Sequence, residues 1–283
     1  MKSLRKALQN YKLPAFFKKN PEIQVGVIVD KVYFVGAGPG DAELITVKGA
    51  RLLAEAQVVL YAGSLVDRAL VNTYAPQAEI IDSAALNLAE TTQILVTSSR
   101  AGKKTIRLHT GDPAIFGAIQ EQMAELDAHG IDYAVIPGVT SAFAAAAALR
   151  QELTLPEVSQ TVIFTRIAGR TPVPEKEALE KLAAIGATLV IYLSVGMINQ
   201  VVDALLAGAY TPESPVAVVA RASWPDEQVL EGTLAEISEL VRAAGINRQA
   251  LIIVGDVLAA RKKGLTAKSL LYDADFRHGY RSS

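Results

Sequence analysis

The stretch VYFVGAGPGD, residues Val32 to Asp41, decides the architecture. Four residues with strand character, Val32 to Val35, run straight into Gly36, Gly38 and Gly40. A helical pattern then follows in LITVKGARLL, residues Leu44 to Leu53. A strand that ends in glycines just ahead of a helix opens an α/β unit, and open α/β sheets bind ligands in the crevice outside the carboxyl ends of their strands. Outward from this point the same texture repeats. Short apolar runs at Val58 to Tyr61, Ile80 to Ile81, Thr105 to Leu108 and Tyr133 to Ile136 alternate with helical patterns, which predicts a mostly parallel first sheet covered by helices.

A second set of runs covers Thr161 to Thr165, Leu189 to Leu193, Val216 to Val219, Gln228 to Gly232 and Leu251 to Val254. The segment SWPDE between two of them reads as a hairpin or loop rather than a crossover helix, so the second sheet is expected to be mixed. The last two runs enclose a helical pattern from Thr233 to Ala244, closed by Gly245. Between the halves, SAFAAAAALRQELTLPE passes from a helix of alanines to Leu155-Pro156, which cannot continue it. The expected organisation is α/β throughout: an extension over residues 1–30, a first α/β domain over 31–149, a second over 150–260, and a polar, basic tail over 261–283.

Composition excludes several classes. With 283 residues, 51% of them hydrophobic and 20% charged, the chain can bury a large core. A net charge of -1 provides no basic field for nucleic acid. Zero cysteines remove disulfides, thiolate metal sites and cysteine nucleophiles, and agree with a cytoplasmic protein. No run approaches the roughly 20 apolar residues of a membrane span. The first thirty residues hold six Lys or Arg against two acids and lack the apolar core of a signal peptide, so they read as a leader that can be removed.

Three loops carry the chemistry. A dinucleotide fingerprint G-x-G-x-x-G would place its third glycine at position 41, where this chain has Asp41. A carboxylate there repels a pyrophosphate, and Pro39 removes a backbone N–H, so the loop suits a ligand without phosphates. A tight turn with Asp41 as helix cap accounts equally well for the loop alone. The second loop, RLHTGDPAIFG over residues 107–117, brings His109, Gly111 and Asp112 to another strand end, with Asp112-Pro113 readable as a helix cap and first helical position. The third, IPGVTSA, offers Thr140 and Ser141 as caps or ligands.

Taken together, GAGPGD, LITVKGARLL, HTGDPAIFGA, IPGVTSAFAAAAA, TVIFTRIAGRTPVPE, VARASWPDE and QALIIVG resemble the tetrapyrrole (class III, corrin and porphyrin) methyltransferases, from about Val32 to Val257. HTGDPAIFGAIQEQM, TRIAGRTPVPE and SWPDE are most similar to the precorrin-4 or cobalt-precorrin-4 C11-methyltransferase branch. The resemblance implies two α/β domains with S-adenosylmethionine in the cleft between them, a homodimer, and methyl transfer to a ring carbon of a corrin precursor in cobalamin biosynthesis. It implies a cofactor pocket formed by Pro39, Gly111, Asp112, Ile115, Thr140, Ser141, Leu193, Ala222 and Ala250. Other readings are methylation at another carbon or of uroporphyrinogen III, and a non-catalytic binder of the same ligands.

A corrin precursor carries many carboxylates, so its trough calls for cations. His109, Arg166, Arg170 and Arg221 are the substrate-binding candidates, each arginine also readable as a surface ion pair. No protein metal site and no general base is assigned, since the sulfonium is an activated donor and alignment alone can supply most of the catalysis. Trp224, the only tryptophan, has a place either on the trough or at a partner subunit. His129, before Gly130 at a helix end, and His278 in the tail read as structural.

Overall fold

Val32, Phe34 and Val35 are all fully buried, as are Val58, Val59 and Leu60. Strands apolar on both faces must be covered on both faces, and the chain does this with helices. The computed structural model describes residues 30–260 and the single positions 264, 269, 276, 277 and 279. The expectations for the leader before Asp30 and for the rest of the tail, His278 included, lie outside the described residues.

The first sheet contains β1 (Val32–Gly36), β2 (Val58–Tyr61), β3 (Glu79–Asp82), β4 (Thr105–His109) and β5 (Tyr133–Ile136), all parallel in the order β3-β2-β4-β1-β5. Helices α1 (Val47–Ala54) and α2 (Arg68–Tyr74) bury Leu52, Leu53, Leu70 and Val71 against Val35, Val59, Ile106 and Leu108 on one face. On the other, α3 (Leu88–Arg100) and α4 (Ile119–Ala128) pack Leu95, Val96, Ile119 and Leu126 on Phe34 and Leu60. Because β1 lies between β4 and β5, the loops after these three strands emerge side by side at one edge.

Helix α5 (Ser141–Ala148) leaves β5 and lays Ala142, Ala144, Ala145 and Ala146 on Val190, Tyr192, Val219, Leu251 and Ile253 of the second sheet. Its alanines let helix and sheet approach closely, and they carry the chain from the first sheet onto the second. That sheet contains β6 (Val162–Thr165), β7 (Thr188–Ile191), β8 (Pro215–Ala220), β9 (Gln228–Thr233) and β10 (Ala250–Val254), in the order β6-β7-β10-β8-β9. Only β6 and β7 pair in parallel; β10 runs antiparallel to β7 and β8, and β8 antiparallel to β9, so the sheet is mixed. Helices α6 (Leu179–Ala183), α7 (Ile198–Leu206) and α8 (Ile237–Ala243) fill its far face, and α9 (Val257–Ala260) follows β10.

Two expectations need correction. The strand read through Leu193 ends at Ile191, because Leu193 takes a left-handed backbone with φ 55 that no strand accommodates. The helix read from Thr233 starts at Ile237, because Thr233 still pairs with Pro215 as the end of β9. SWPDE is the β8–β9 connection, joining two antiparallel neighbours without a helix. Gly245 closes α8 with φ 68, the left-handed cap expected of it.

Candidate functional site

Glycine is obligatory where the three loops meet. A Cβ on Gly36 would lie 2.6 Å from both the Gly111 carbonyl oxygen and the Gly138 Cα, and one on Gly138 would lie 2.1 Å from that same oxygen. The three main chains therefore touch directly, with no room for side chains. They are also hydrogen-bonded to one another. The Gly111 N–H donates to the Gly38 carbonyl at 2.8 Å, the Gly38 N–H returns a longer bond of 3.3 Å, and Ala37 N–H donates to the His109 carbonyl at 2.7 Å. Asp112 closes the triangle. Its Oδ2 accepts the Gly138 N–H at 2.9 Å while its Oδ1 accepts the Ala114 N–H at 2.8 Å. The cap reading of Asp112 is thus met within a turn, although α4 begins only at Ile119, and the carboxylate has the further task of tying the second loop to the third.

Asp41 caps a short 3-10 turn, Ala42–Leu44, through its Oδ1 and the Glu43 N–H at 2.9 Å. Thr140 stands at the N-cap position of α5 without capping it. Its Oγ1 hydrogen-bonds instead, at 2.8 Å, to the hydroxyl of Tyr192, the residue just after β7. Burial of Tyr192 raises its pKa, so the phenol stays protonated. Ser141 opens α5 beside it.

The second sheet supplies the opposing wall. Leu193 is left-handed and 68% exposed, and a strained backbone in a non-glycine residue persists only where its surroundings hold it. Phe116, also left-handed and 48% exposed, packs its ring 5.2 Å from Tyr192. Ile115, next to it, packs on the cluster formed by α5 and the second sheet, as Ala222 does. Trp224 lies against the glycine loop, its Nε1 donating to the Pro39 carbonyl at 2.9 Å, and Ser223 Oγ accepts the Asp41 N–H at 3.0 Å. Of the sequence-derived cofactor residues, Pro39, Gly111, Asp112, Thr140 and Ser141 lie on the three loops and the start of α5, whereas Ile115 and Ala222 pack on the cluster between α5 and the second sheet and Leu193 follows β7. Ala250 departs from this. Its side chain belongs to the core under α7 and α8.

The cationic candidates differ in their surroundings. His109 is 6% exposed, its Nε2 has no hydrogen-bond partner among the described residues, and burial together with the Arg107 charge lowers its pKa to about 3. It is a neutral core histidine, 6.0 Å from the Phe34 ring, and presents no charge to a ligand. Arg166 donates to the carbonyls of Thr171 at 3.1 Å and Pro172 at 2.7 Å, bracing its own loop. Arg221 is ion-paired to Asp226 at 2.6 Å, bonded to Gln249 Oε1 at 3.1 Å, and stacked 4.1 Å from the Trp224 ring centroid. Arg170 is exposed and makes no hydrogen bond or ion pair with another described residue, so of the three candidate arginines it is the one with a free guanidinium. Trp224 packs on the glycine loop. No group of three or more His, Asp or Glu suited to a metal occurs among the described residues.

Sequence reasoning missed Phe116, Tyr192, Ser223 and Gln249. The signal in three of them is backbone: Phe116, Ser223 and Gln249 have φ of 53, 66 and 51. Nothing in the sequence announces a left-handed non-glycine residue, whereas the structure gathers several at one crevice.

The class of protein with these parallel, glycine-tight strand ends and a mixed second sheet is identified by what the chain is similar to. Residues 31–238 match the family Tetrapyrrole (Corrin/Porphyrin) Methylases, and the chain belongs to that family. The cobalt-precorrin-4 C(11)-methyltransferase of Methanocaldococcus jannaschii is 54% identical over 253 residues, 89% of this chain and 96% of its own. The precorrin-4 C(11)-methyltransferase of Pseudomonas aeruginosa is 49% identical over 250 residues, 88% and 98% of the two chains. Among solved structures, the cobalamin biosynthetic enzyme cobalt precorrin-4 methyltransferase superposes with a TM-score of 0.79 at 46% identity, covering 81% of this chain and 95% of its own. The uroporphyrin-III C-methyl transferase from Thermus thermophilus, complexed with S-adenyl homocysteine, gives 0.67 at 32% identity, covering 81% and 93%.

Proposed function

We propose that this protein transfers a methyl group from S-adenosylmethionine to C11 of precorrin-4 or cobalt-precorrin-4 in cobalamin biosynthesis. The observation that carries the reading is the glycine-tight junction of Gly36, Gly111 and Gly138, which the second half of the chain reaches through Trp224 at Pro39 and Ser223 at Asp41. The relatives named above, alike over nearly the whole of their length, support the substrate.

The donor set fits a sulfonium nucleoside. Close-packed main chain and aliphatic side chains at Pro39, Gly111, Ile115, Leu193 and Ala222 suit a flat adenosyl group, while Thr140, Ser141 and the free lone pairs of Asp112 can fix its polar ends. S-adenosylmethionine, when bound, supplies an already activated methyl. The chain's own work is then to bind, to orient and to exclude water. The loops held together by Asp112 keep the pocket rigid, and Tyr192 remains a neutral hydrogen-bonding partner of Thr140. Alignment of this kind can contribute several kcal/mol toward lowering the barrier, about 7–11 kcal/mol at its upper reach. Arg170 is the side chain with a guanidinium available for a corrin carboxylate. Cobalt, where present, enters as part of the substrate.

The same reading takes the chain as two units, residues 31–149 and 150–260, with α5 bridging them and the cofactor cleft between. It also takes the protein as a cytoplasmic homodimer. No helix among the described residues is long and apolar enough to cross a membrane. Incubation of purified protein with methyl-labelled donor and each precursor in turn, followed by mass spectrometry, tests the reading. Label is expected in precorrin-4 or cobalt-precorrin-4 and not in uroporphyrinogen III.

A further inference from the structure

The turn Gly38-Pro39-Gly40-Asp41 has little rigidity of its own. Two of its residues are glycines, and Pro39, although its ring fixes φ, has no N–H to donate. Gly38 is paired with Gly111 and Asp41 caps the turn that follows, but the further bonds that hold Pro39 and the Asp41 N–H come from more than 180 residues away. The Trp224 ring lies so close over Gly40 that a Cβ there would sit 2.2 Å from Trp224 Cδ1 and 2.3 Å from Nε1. The indole N–H donates to the Pro39 carbonyl at 2.9 Å, and Ser223 Oγ accepts the Asp41 N–H at 3.0 Å. The donor side is itself braced. Arg221 stacks 4.1 Å from the centroid of the Trp224 ring and is held by Asp226 and by Gln249, whose Nε2 donates at 2.9 Å to the Ser64 carbonyl of the first half. Arg221, Ser223 and Gln249 all adopt left-handed backbones, with φ of 50, 66 and 51. Such strain in non-glycine residues persists only where the surroundings over-determine it, and it concentrates at ligand clamps.

We propose that Trp224, with Ser223 beside it, is a positioning residue: the second half uses it to clamp the Pro39–Asp41 turn in the shape that receives the methyl donor. This rests on the donor reading above. The indole need not touch the donor. It acts by fixing the main chain that does, so its loss is felt in how tightly the donor is bound.

Four variants of the full chain test the clamp: Trp224→Phe, Gly40→Ala, Trp224→Ala and the double variant Trp224→Ala with Gly40→Ala. Each is titrated with S-adenosylhomocysteine by calorimetry and assayed with S-adenosylmethionine and cobalt-precorrin-4. Trp224→Phe keeps the ring and deletes one neutral donor, so the dissociation constant and the Michaelis constant for the donor should both rise about fivefold. The turnover number and the Michaelis constant for the corrinoid should stay within about twofold of wild type. Gly40→Ala should weaken donor binding at least as much in the wild-type background, and by less than about twofold once Trp224 is already alanine. Wild-type affinity in Trp224→Phe overturns the clamp, as do effects of Gly40→Ala that are equal in both backgrounds. A wild-type chain that binds no S-adenosylhomocysteine overturns the donor reading itself, and the clamp with it. Wild-type binding alongside unaffected variants overturns the clamp alone.

Discussion

Gly138→Ala is the sharpest single perturbation of the site. The added methyl carbon would lie 2.1 Å from the Gly111 carbonyl oxygen and 2.8 Å from the Gly36 Cα. Both neighbours are main chain, so no side chain can swing aside. An ordinary carbon contact needs about 3.5 Å, and the loops after β4 and β5 must therefore part by about 1 Å or more. That displacement pulls the Gly138 N–H from the Asp112 carboxylate, a bond of 2.9 Å. Overpacking costs about 1–3 kcal/mol and the charged hydrogen bond about 1.5–3 kcal/mol. A loss near 3–5 kcal/mol lowers the melting temperature by about 6 °C or more at about 2–4 °C per kcal/mol. Gly130→Ala is the matched control, with φ 66 and nothing within 4 Å of the new carbon, and should cost only the left-handed backbone, about 1–2 kcal/mol. Scanning calorimetry gives the melting temperatures, and titration with S-adenosylhomocysteine gives the affinity, which should fall at least tenfold in Gly138→Ala and stay put in Gly130→Ala. A Gly138→Ala protein that melts within about 2 °C of wild type and binds normally would refute the claim that these main chains are in contact.

Three further outcomes are expected. Because burial lowers the His109 pKa to about 3, the unfolded chain binds the extra proton first; its contribution to stability is complete above the ordinary value near 6.5 and is lost as pH falls from there toward 3. His109→Leu should flatten the slope of unfolding free energy with pH in that window by up to about 1.4 kcal/mol per pH unit, measured by urea titration. Arg166→Ala should destabilise the protein by about 1 kcal/mol or more through the lost carbonyl contacts at Thr171 and Pro172, whereas Arg170→Ala should melt like wild type and bind a corrin analogue more weakly; equal corrinoid affinity in wild type and Arg170→Ala would remove that residue from the substrate site. Asp112→Ala should lower both stability and S-adenosylhomocysteine affinity, because the carboxylate holds Gly138 as well as its own turn, and affinity lost with no change in melting would show a purely ligand-directed role.

The parts of this protein legible in its sequence are those set by local patterning. Buried strands announce themselves as apolar runs, and the ends of β1, β4 and β5 announce themselves through Gly36, Gly111 and Gly138. The alanines of α5 signalled close packing, though not that the packing would be on the second sheet. What escaped was long-range. His109 and Arg107 sit on one face of β4 by simple alternation, yet only the covering helices reveal that His109 is buried and neutral rather than a cation at a trough. Arg166 and Arg221 look like free guanidiniums until the carbonyls of Thr171 and Pro172 and the Trp224 ring are brought to them. Trp224 could not be placed at all, because its partner Gly40 lies 184 residues earlier and has no side chain to hint at a contact.

The central claim is methyl transfer to a defined ring carbon, and carbon-13 NMR of the product tests it most directly. Cobalt-precorrin-4 and precorrin-4 are each incubated with the enzyme and methyl-labelled S-adenosylmethionine, and the labelled product is examined for the position of its new methyl group. The account predicts one labelled methyl, bonded to C11, formed together with one equivalent of S-adenosylhomocysteine. Label at any other carbon, or recovery of both reactants unchanged in the presence of folded, donor-binding protein, would contradict it.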